Sequence, residues 1–345
     1  MAVGTRAVGD LVANRYRIAG FLGRGGYGEV YAVDDLHQHQ RVALKFLQPT
    51  GGSTWQEAQI LTGLRSEYIL PVLNADVEMG VAYLVTEIAE YGSADSPMHP
   101  IGVPPNLAVR WIRHACRGAA RTHQAGLLHR DIKPANLFLT AQEEARLGDF
   151  GAACLMAPNG FGPPFGTPVT IAPEAVPGGA TSVASDVYSL GATLYALLAG
   201  RYAHQGPDDH RTYQMVVNDP VPPLRDFAPH VSLSLQARVV GAMSRIPADR
   251  YTTPEEFDRD LGRLPVPVRR WWRTDQHAAQ GHLGCWFGTA HGKRDATVCL
   301  VPAGKRFEVI AAHQPSGRLI SAACRPPAPR SAVARNLRAA MSAAM

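Results

Sequence analysis

The stretch Leu128–Leu139 reads LHRDIKPANLFL. It holds His129, Arg130, Asp131, Lys133 and Asn136 between apolar flanks. Pro134 blocks a helix through its middle, and Leu137-Phe138-Leu139 reads as the start of a buried strand. Charge removed from water is costly unless it is paired or put to use. A polar surface turn would account for the composition alone. A catalytic loop would give each group a task. Asp131 would accept a proton, Lys133 would steady negative charge in transfer, and Asn136 would hold a metal ion.

The rest of the chain must supply the partners of such a loop. Its 345 residues leave room for two or three domains. A hydrophobic content of 46% with 18% charged residues describes a globular chain able to bury a large core. No 18-residue apolar run occurs, so no transmembrane segment is expected. The start, MAVGTRAVGDLVANRY, lacks the apolar core of a secretory signal. Cys116, Cys154, Cys285, Cys299 and Cys324 are scattered without a CxxC pair, which suits reduced thiols in a cytosol. His282-x-x-Cys285 has the spacing of half a zinc site, but no second matching pair follows, so no metal is expected there. Charge is uneven. Residues 265–345 carry twelve Lys and Arg against three Asp and Glu, a net of +9, and the remainder carries 22 against 26, a net of −4.

Residues 14–88 read as a small β-rich unit. EVYAVDD, RVALKFL, ILPVLNAD and VAYLVTEIA are short, apolar and β-branched, with turn residues between them. One helical pattern interrupts them, STWQEAQILTGLRS, with Trp55, Ile60, Leu61 and Leu64 on one face. Long helical patterns follow at 104–125 and 183–200, with more helices to about 264. RLPVPVRRWW then reads as a boundary. The expected class is α+β, a β-rich lobe ahead of an α-rich one.

The remaining motifs fall into this frame. LGRGGYGEV contains Gly23-x-Gly25-x-x-Gly28-x-Val30, glycines that let backbone N–H groups approach a phosphate. GxGxxG also marks dinucleotide folds, but these need a helix directly afterwards, and EVYAVDD is strand-like. A hairpin lid over a nucleotide fits better. Lys45 ends VALK, where an inward ammonium would meet a phosphate and an outward one would snorkel. Glu57 would pair with Lys45, or would complete a capping box with Thr54, or both. Thirteen residues past Asn136, LGDFG offers Asp149 at a strand end as a metal-bridging carboxylate. GTPVTIAPE supplies Thr167 and Glu174, DVYSLG supplies Asp186, and DRYTTPEEF supplies Arg250.

In this order and spacing, over about residues 14 to 264, the motifs resemble the eukaryotic-type (Hanks-type) protein kinases, which are also common in bacteria. The resemblance implies a two-lobed kinase fold, with the N-lobe at about 14–88 and the C-lobe at about 89–264. It implies ATP with Mg²⁺ (or Mn²⁺) as cofactors and protein Ser/Thr hydroxyls as acceptors. Leu22, Gly23, Arg24, Gly25, Gly26, Tyr27, Gly28, Glu29 and Val30 would form the phosphate lid, with Ala43 beside the nucleotide. Lys45 and Glu57 would form the Lys–Glu pair, Thr86 the gatekeeper, and the backbone at Glu87 and Ala89 the adenine hinge. Asp131 would be the base, Lys133 the phosphate lysine, and Asn136 and Asp149 the metal ligands. Leu61, Leu73, His129 and Phe150 would stack as in active kinases, Glu174 and Arg250 would pair, and Asp186 would brace the catalytic loop. Lys133 and the GTP before the APE sequence are similar to the Ser/Thr-specific branch. A cytoplasmic bacterial signalling kinase is therefore expected. The rival readings are a pseudokinase acting as a scaffold through its basic tail, and a small-molecule kinase of the same fold.

Two regions depart from the pattern. Between Asp149 and Thr167 there is no Ser, Thr or Tyr to phosphorylate, although Arg130, the residue that usually pairs with such a phosphate, is present; Thr170 also stands where tyrosine is commoner. Residues 265–345 lie outside the resemblance. HLGCWFG, ATVCLV, RFEVIAA and RLISAA read as four strands, and a final helix would start at an N-cap Ser331 with Val333, Leu337 and Met341 on one face. The surplus of arginine there suits a solvated surface, an anionic partner, or docking onto the acidic catalytic part.

Overall fold

The computed structural model describes residues 6–25, 28–47, 60–176 and 178–344. The β-rich part forms one antiparallel sheet. Its strands are β1 (Leu11–Val12), β2 (Tyr16–Gly25), β3 (Gly28–Asp35), β4 (Gln40–Leu47), β5 (Val72–Glu78) and β6 (Val81–Thr86), in the order β1-β2-β3-β4-β6-β5. Side chains alternate faces along a strand. In β4, Val42, Leu44 and Phe46 are buried on one face, against Tyr16, Tyr31 and Tyr83. Ala43 and Lys45 therefore face the other way, toward the cleft between the lobes. Residues 60–63 are helical, and Leu61 and Leu64 pack with Phe150 of the C-lobe. Trp55, Glu57, Gly26 and Tyr27, for which roles were expected, lie outside the described residues.

The C-lobe is built from α1 (Asp95–Met98), α2 (Pro105–Gln124), the short strands β7 (Leu127–Leu128), β8 (Leu137–Leu139), β9 (Ala145–Leu147) and β10 (Cys154–Leu155), and helices α3 (Val183–Ala199), α4 (Asp209–Asn218), α5 (Leu224–Phe227), α6 (Leu233–Ala242) and α7 (Pro254–Gly262). Helix α2 is amphipathic and buries Ala108, Trp111, Ile112, Ala115, Cys116 and Ala119 at three- and four-residue spacing. Helix α3 is apolar on nearly every side and is buried from Ser185 to Ala199, as a central core helix must be. Ser182 and Ser185 close a capping box at its start. Gly200 ends it in the left-handed conformation, φ 70°, where a Cβ would fall 2.5 Å from the Pro100 carbonyl oxygen. Strands β7 and β10 pair, and so do β8 and β9, which frames the loop 129–136 between two short ladders.

The C-terminal module is a five-stranded antiparallel meander, β11 (Arg270–Thr274), β12 (Gly284–Thr289), β13 (Ala296–Ala303), β14 (Arg306–His313) and β15 (Arg325–Ala328), with α8 (Val333–Ala343) on one face. Trp271, Trp286, Val298, Val309 and Ala311 bury against Leu337, Ala340 and Met341. The stretch RLPVPVRRWW runs from the end of α7 at Gly262 into β11, which takes in its last three residues. Two expectations fail here. RLISAA makes only an isolated bridge at Leu319, and the last strand is RPPA, whose prolines lack ladder donors and suit an edge. Ser331 lies inside a 3₁₀ turn, Arg330–Ala332, rather than at the cap of α8. Arg338 of α8 lies 3.6 Å from Asp226 and donates to the Arg225 carbonyl oxygen at 3.1 Å, so α8 meets α5. Among the described residues no helix is long and apolar enough to cross a membrane.

Candidate active site

A cleft of about 310 Å³ lies between the lobes. Its roof comes from Leu22, Gly23, Val30, Ala43 and Lys45, its back from Thr86, Glu87 and Ala89, and its floor includes Asp149 and Phe150. The hairpin of β2 and β3 brings the glycines over it. Arg24 pairs with Glu29 across that hairpin, and Gly25 stands opposite Gly28. Gly28 has φ 144°, and a Cβ there would meet the Phe46 carbonyl oxygen at 1.8 Å. Only glycine lets β3 lie this close to β4. Leu70, Leu84 and Phe138 also line the cleft and were not picked out from the sequence. Phe138 sits in the LFL run after Asn136. Leu84 is the β6 residue facing Lys45 in the β4–β6 register, a signal that needs the strand pairing to be read.

Lys45 forms an ion pair with Asp149 through its ammonium and Oδ1. Burial alone would push the Asp149 carboxyl up, but the Lys45 charge and hydrogen bond, with Gly151 N–H, hold it below the usual range. Asp149 is itself in the left-handed conformation, φ 61°, a strained backbone of the kind that clusters at functional sites.

The loop 129–136 is tied together by side-chain contacts. Thr167 Oγ1 donates to Asp131 Oδ1 at 2.5 Å, and Lys133 Nζ lies 2.9 Å from Asp131 Oδ2. Lys133 also donates to Thr167 Oγ1 at 2.7 Å. Asn136 donates its amide N–H to Asp131 Oδ2 at 2.9 Å and to the Asp131 carbonyl oxygen at 2.7 Å. Its nitrogen is thus committed, which leaves the amide oxygen as the acceptor suited to a hard cation.

The loop hangs from α3. Asp186, in the first turn of that helix, accepts from the backbone N–H groups of His129 (2.9 Å) and Arg130 (2.8 Å) and contacts His123 Nε2 at 2.7 Å. Burial opposes its charge, yet the His123 and backbone hydrogen bonds keep its carboxyl below the usual range. Arg130 has φ 68°, another left-handed residue held by these contacts. His129 packs against Phe150 with its ring tilted by 56° and the centroids 4.9 Å apart, and burial pushes its imidazole toward the neutral form. Leu61 and Phe150 share one apolar cluster, but Leu73 does not join it. A bulge between Val72 and Asn74 turns Leu73 to the outer tyrosine cluster, and Val72 and Ala75 take the inner face instead.

Arg130 meets the segment after Asp149 without a phosphate. Its Nε donates to the Ala152 carbonyl oxygen at 2.7 Å, its Nη1 donates to that of Pro163 at 3.0 Å, and its guanidinium lies 4.8 Å over the Phe165 ring. Thr170 is buried, and its carbonyl oxygen accepts from Ser189 Oγ at 2.9 Å. Glu174 and Arg250 form a bidentate pair at 2.6 and 2.7 Å.

Comparison with known proteins identifies the family. The family model described as "Protein kinase domain" matches residues 16–259. The serine/threonine-protein kinase PknB of Mycobacterium leprae is 32% identical over 270 residues, covering 73% of this chain and 43% of that protein. PknB of Mycobacterium tuberculosis is 33% identical over 273 residues, with the same coverage of 73% and 43%. The probable serine/threonine-protein kinase PknB of Corynebacterium glutamicum is 30% identical over 294 residues, covering 79% and 45%. The chain thus spans less than half the length of the curated relatives it matches.

Proposed function

Because the chain belongs to the protein kinase domain family, we propose that it is an ATP-dependent serine/threonine protein kinase. The observation that carries this is the arrangement around Asp131, whose carboxylate holds a threonine hydroxyl at 2.5 Å and a lysine ammonium at 2.9 Å. A substrate hydroxyl that took the place of Thr167 Oγ1 would be oriented, and would give its proton to Asp131 as it attacked the γ-phosphate. Lys133, beside the same carboxylate, offsets the charge that develops on the transferring group. Lys45, fixed by Asp149, aligns the phosphates from the roof. Asn136 and Asp149 are the residues that would hold Mg²⁺ or Mn²⁺; when bound, such an ion neutralises charge on the phosphate oxygens. The Gly23–Gly28 hairpin covers the phosphates and excludes water, so positioning and electrostatics supply most of the rate.

The same reading assigns residues 14–264 to the catalytic domain and 265–345 to a separate basic module. It places the protein in bacterial signalling in the cytoplasm, with protein Ser/Thr acceptors as substrates. The contacts of Arg338 with Asp226 and Arg225 support a basic module resting against the catalytic part.

The test is transfer of label from γ-labelled ATP to a generic protein substrate. Wild type should label it. Lys45→Met, Asp131→Asn and Asp149→Asn should each lose about 100-fold or more while circular dichroism stays unchanged. ATP binding without transfer by the wild type would mark a pseudokinase scaffold, and near-wild-type transfer by any variant would refute that residue's role.

A further inference from the structure

Four soft or borderline metal ligands converge in the C-terminal module, far in sequence from the groups described above. Cys285 of β12 and Cys299 of β13 stand directly opposite each other in the antiparallel register, so their side chains share one face. The connection from β11 to β12 then folds over that face. It carries His277, a 3₁₀ turn at Ala278–Gln280, Gly281 at φ 79°, and His282. His277 Nδ1 lies 3.2 Å from Cys299 Sγ and 3.5 Å from Cys285 Sγ, and His282 Nδ1 lies 3.5 Å from Cys285 Sγ. All four ligand atoms fall within 4.8 Å of one another.

These separations can be set against a tetrahedral zinc ion. With Zn–S near 2.3 Å and Zn–N near 2.0–2.1 Å, the ligand atoms of a regular tetrahedron stand about 3.3–3.8 Å apart. Two of the three S···N distances, at 3.5 Å, fall inside that range, and the third, at 3.2 Å, falls just below it. A pair of hydrogen-bonded thiols would not need two imidazoles turned toward it by their Nδ1 atoms. Both cysteines are free and buried, while most of the residues around the two histidines in the loop are exposed. An exposed loop with few apolar contacts has little else to hold its side chains on the sheet.

We propose that His277, His282, Cys285 and Cys299 bind one Zn²⁺ ion that staples the β11–β12 connection onto the sheet of the C-terminal module. The ligand set is complete with four protein donors and no open position, so the site is structural rather than catalytic. Two thiolates and two neutral imidazoles balance the dication, and thiolate with imidazole in a tetrahedral array favours zinc over the oxygen-seeking Mg²⁺ of the phosphate cleft. The spacing His277-x4-His282-x2-Cys285-x13-Cys299 explains why the sequence shows only half a site. The fourth ligand arrives through strand pairing.

The experiment uses the full chain, purified without a histidine tag under reducing conditions from zinc-supplemented medium. After dialysis, elemental analysis should find about one zinc per chain. Cys285→Ser and Cys299→Ser should lower retention at least about ten-fold, as loss of a ligand does. Replacement of zinc by Co²⁺ should give thiolate charge-transfer bands and the strong visible bands of tetrahedral cobalt. His282→Cys keeps four ligands. It should retain the metal and strengthen the charge-transfer bands, which separates ligation from mere folding of the loop. Wild-type protein that carries no zinc and takes up no Co²⁺ would overturn the proposal. So would metal retained in full by the two cysteine variants, or a native Cys285–Cys299 disulfide in the reduced preparation.

Discussion

Replacing Arg250 with alanine tests how the C-lobe is held together. The Arg250 side chain is 0% exposed, and Glu174 is 25% exposed. Arg250 donates five hydrogen bonds beyond its stacking over Tyr188. Two go to the Glu174 carboxylate, and three go to the carbonyl oxygens of Ser244, Ala184 and Arg245. Arg250→Ala leaves that carboxylate without its cation, though still accepting from Ser185 Oγ at 2.9 Å, and leaves three carbonyls without this donor. Removing one partner of a buried pair costs about 3–5 kcal/mol. For a domain of this size each kcal/mol moves the melting temperature by about 2–4 °C, so a fall of about 6–20 °C is expected. Glu174→Gln should cost less, because the three carbonyls still hold the guanidinium and the new amide oxygen still accepts. A coupling of about 1–3 kcal/mol between the two sites should appear in the double variant. The assay is thermal and urea unfolding of the two single variants and the double variant. A melting temperature for Arg250→Ala within about 3 °C of wild type, or strictly additive losses, would refute the argument that the pair anchors the segment carrying Glu174 to the helices behind it.

Three more outcomes follow from the site. Gly28→Ala should cost at least about 2 kcal/mol and weaken ATP binding, because φ 144° and the Phe46 carbonyl oxygen leave no room for a Cβ; unchanged melting and ATP titration would count against a tight hairpin. His129 and His204 are held neutral by burial, below the usual histidine value. The unfolded chain takes up these protons near pH ~6.5 and the folded chain does not, so stability should fall as pH drops from about 7 toward 5. His204→Gln should flatten part of that slope, and a slope of opposite sign in the wild type would defeat the assignment. Phosphatase-treated full-length protein should phosphorylate a generic substrate without a lag, and Arg130→Ala should lower the rate, since Arg130 already holds Ala152, Pro163 and Phe165; a lag abolished by autophosphorylation at Thr167 or Thr170 would show that a phosphate is needed after all.

The sequence was most readable where function forbids substitution by type and spacing. Asp131, Lys133 and Asn136 stand close in the sequence, and their side chains gather around the Asp131 carboxylate, while Asp149 lines the cleft with Lys45. It was least readable where position depends on register. Leu73 was placed in the stack by the resemblance alone, and the bulge beside it sends it to the other face. In the tail, RLISAA carries better strand residues than RPPA, yet the edge of the sheet accepts a proline strand because its outer side needs no donors. His277 and Cys299 could not be joined to His282 and Cys285 without knowing that β12 and β13 pair at those cysteines. Short-range patterns survive reading along the chain; cross-strand neighbours do not.

The tether between Asp186 and the loop 129–136 also governs when that loop can open. The amide protons of His129 and Arg130 are given to a carboxylate planted at the start of the most deeply buried helix of the C-lobe. Local fraying of a loop usually exposes its amides at little free-energy cost, but here their release requires either breaking a buried charge-assisted bond or moving α3. These two amides should therefore exchange with solvent deuterium among the slowest in the chain, in step with α3 and far behind other loop residues. The loop 129–136 would then share its lifetime with the core of the lobe, and the arrangement around Asp131 would be lost only when the lobe unfolds.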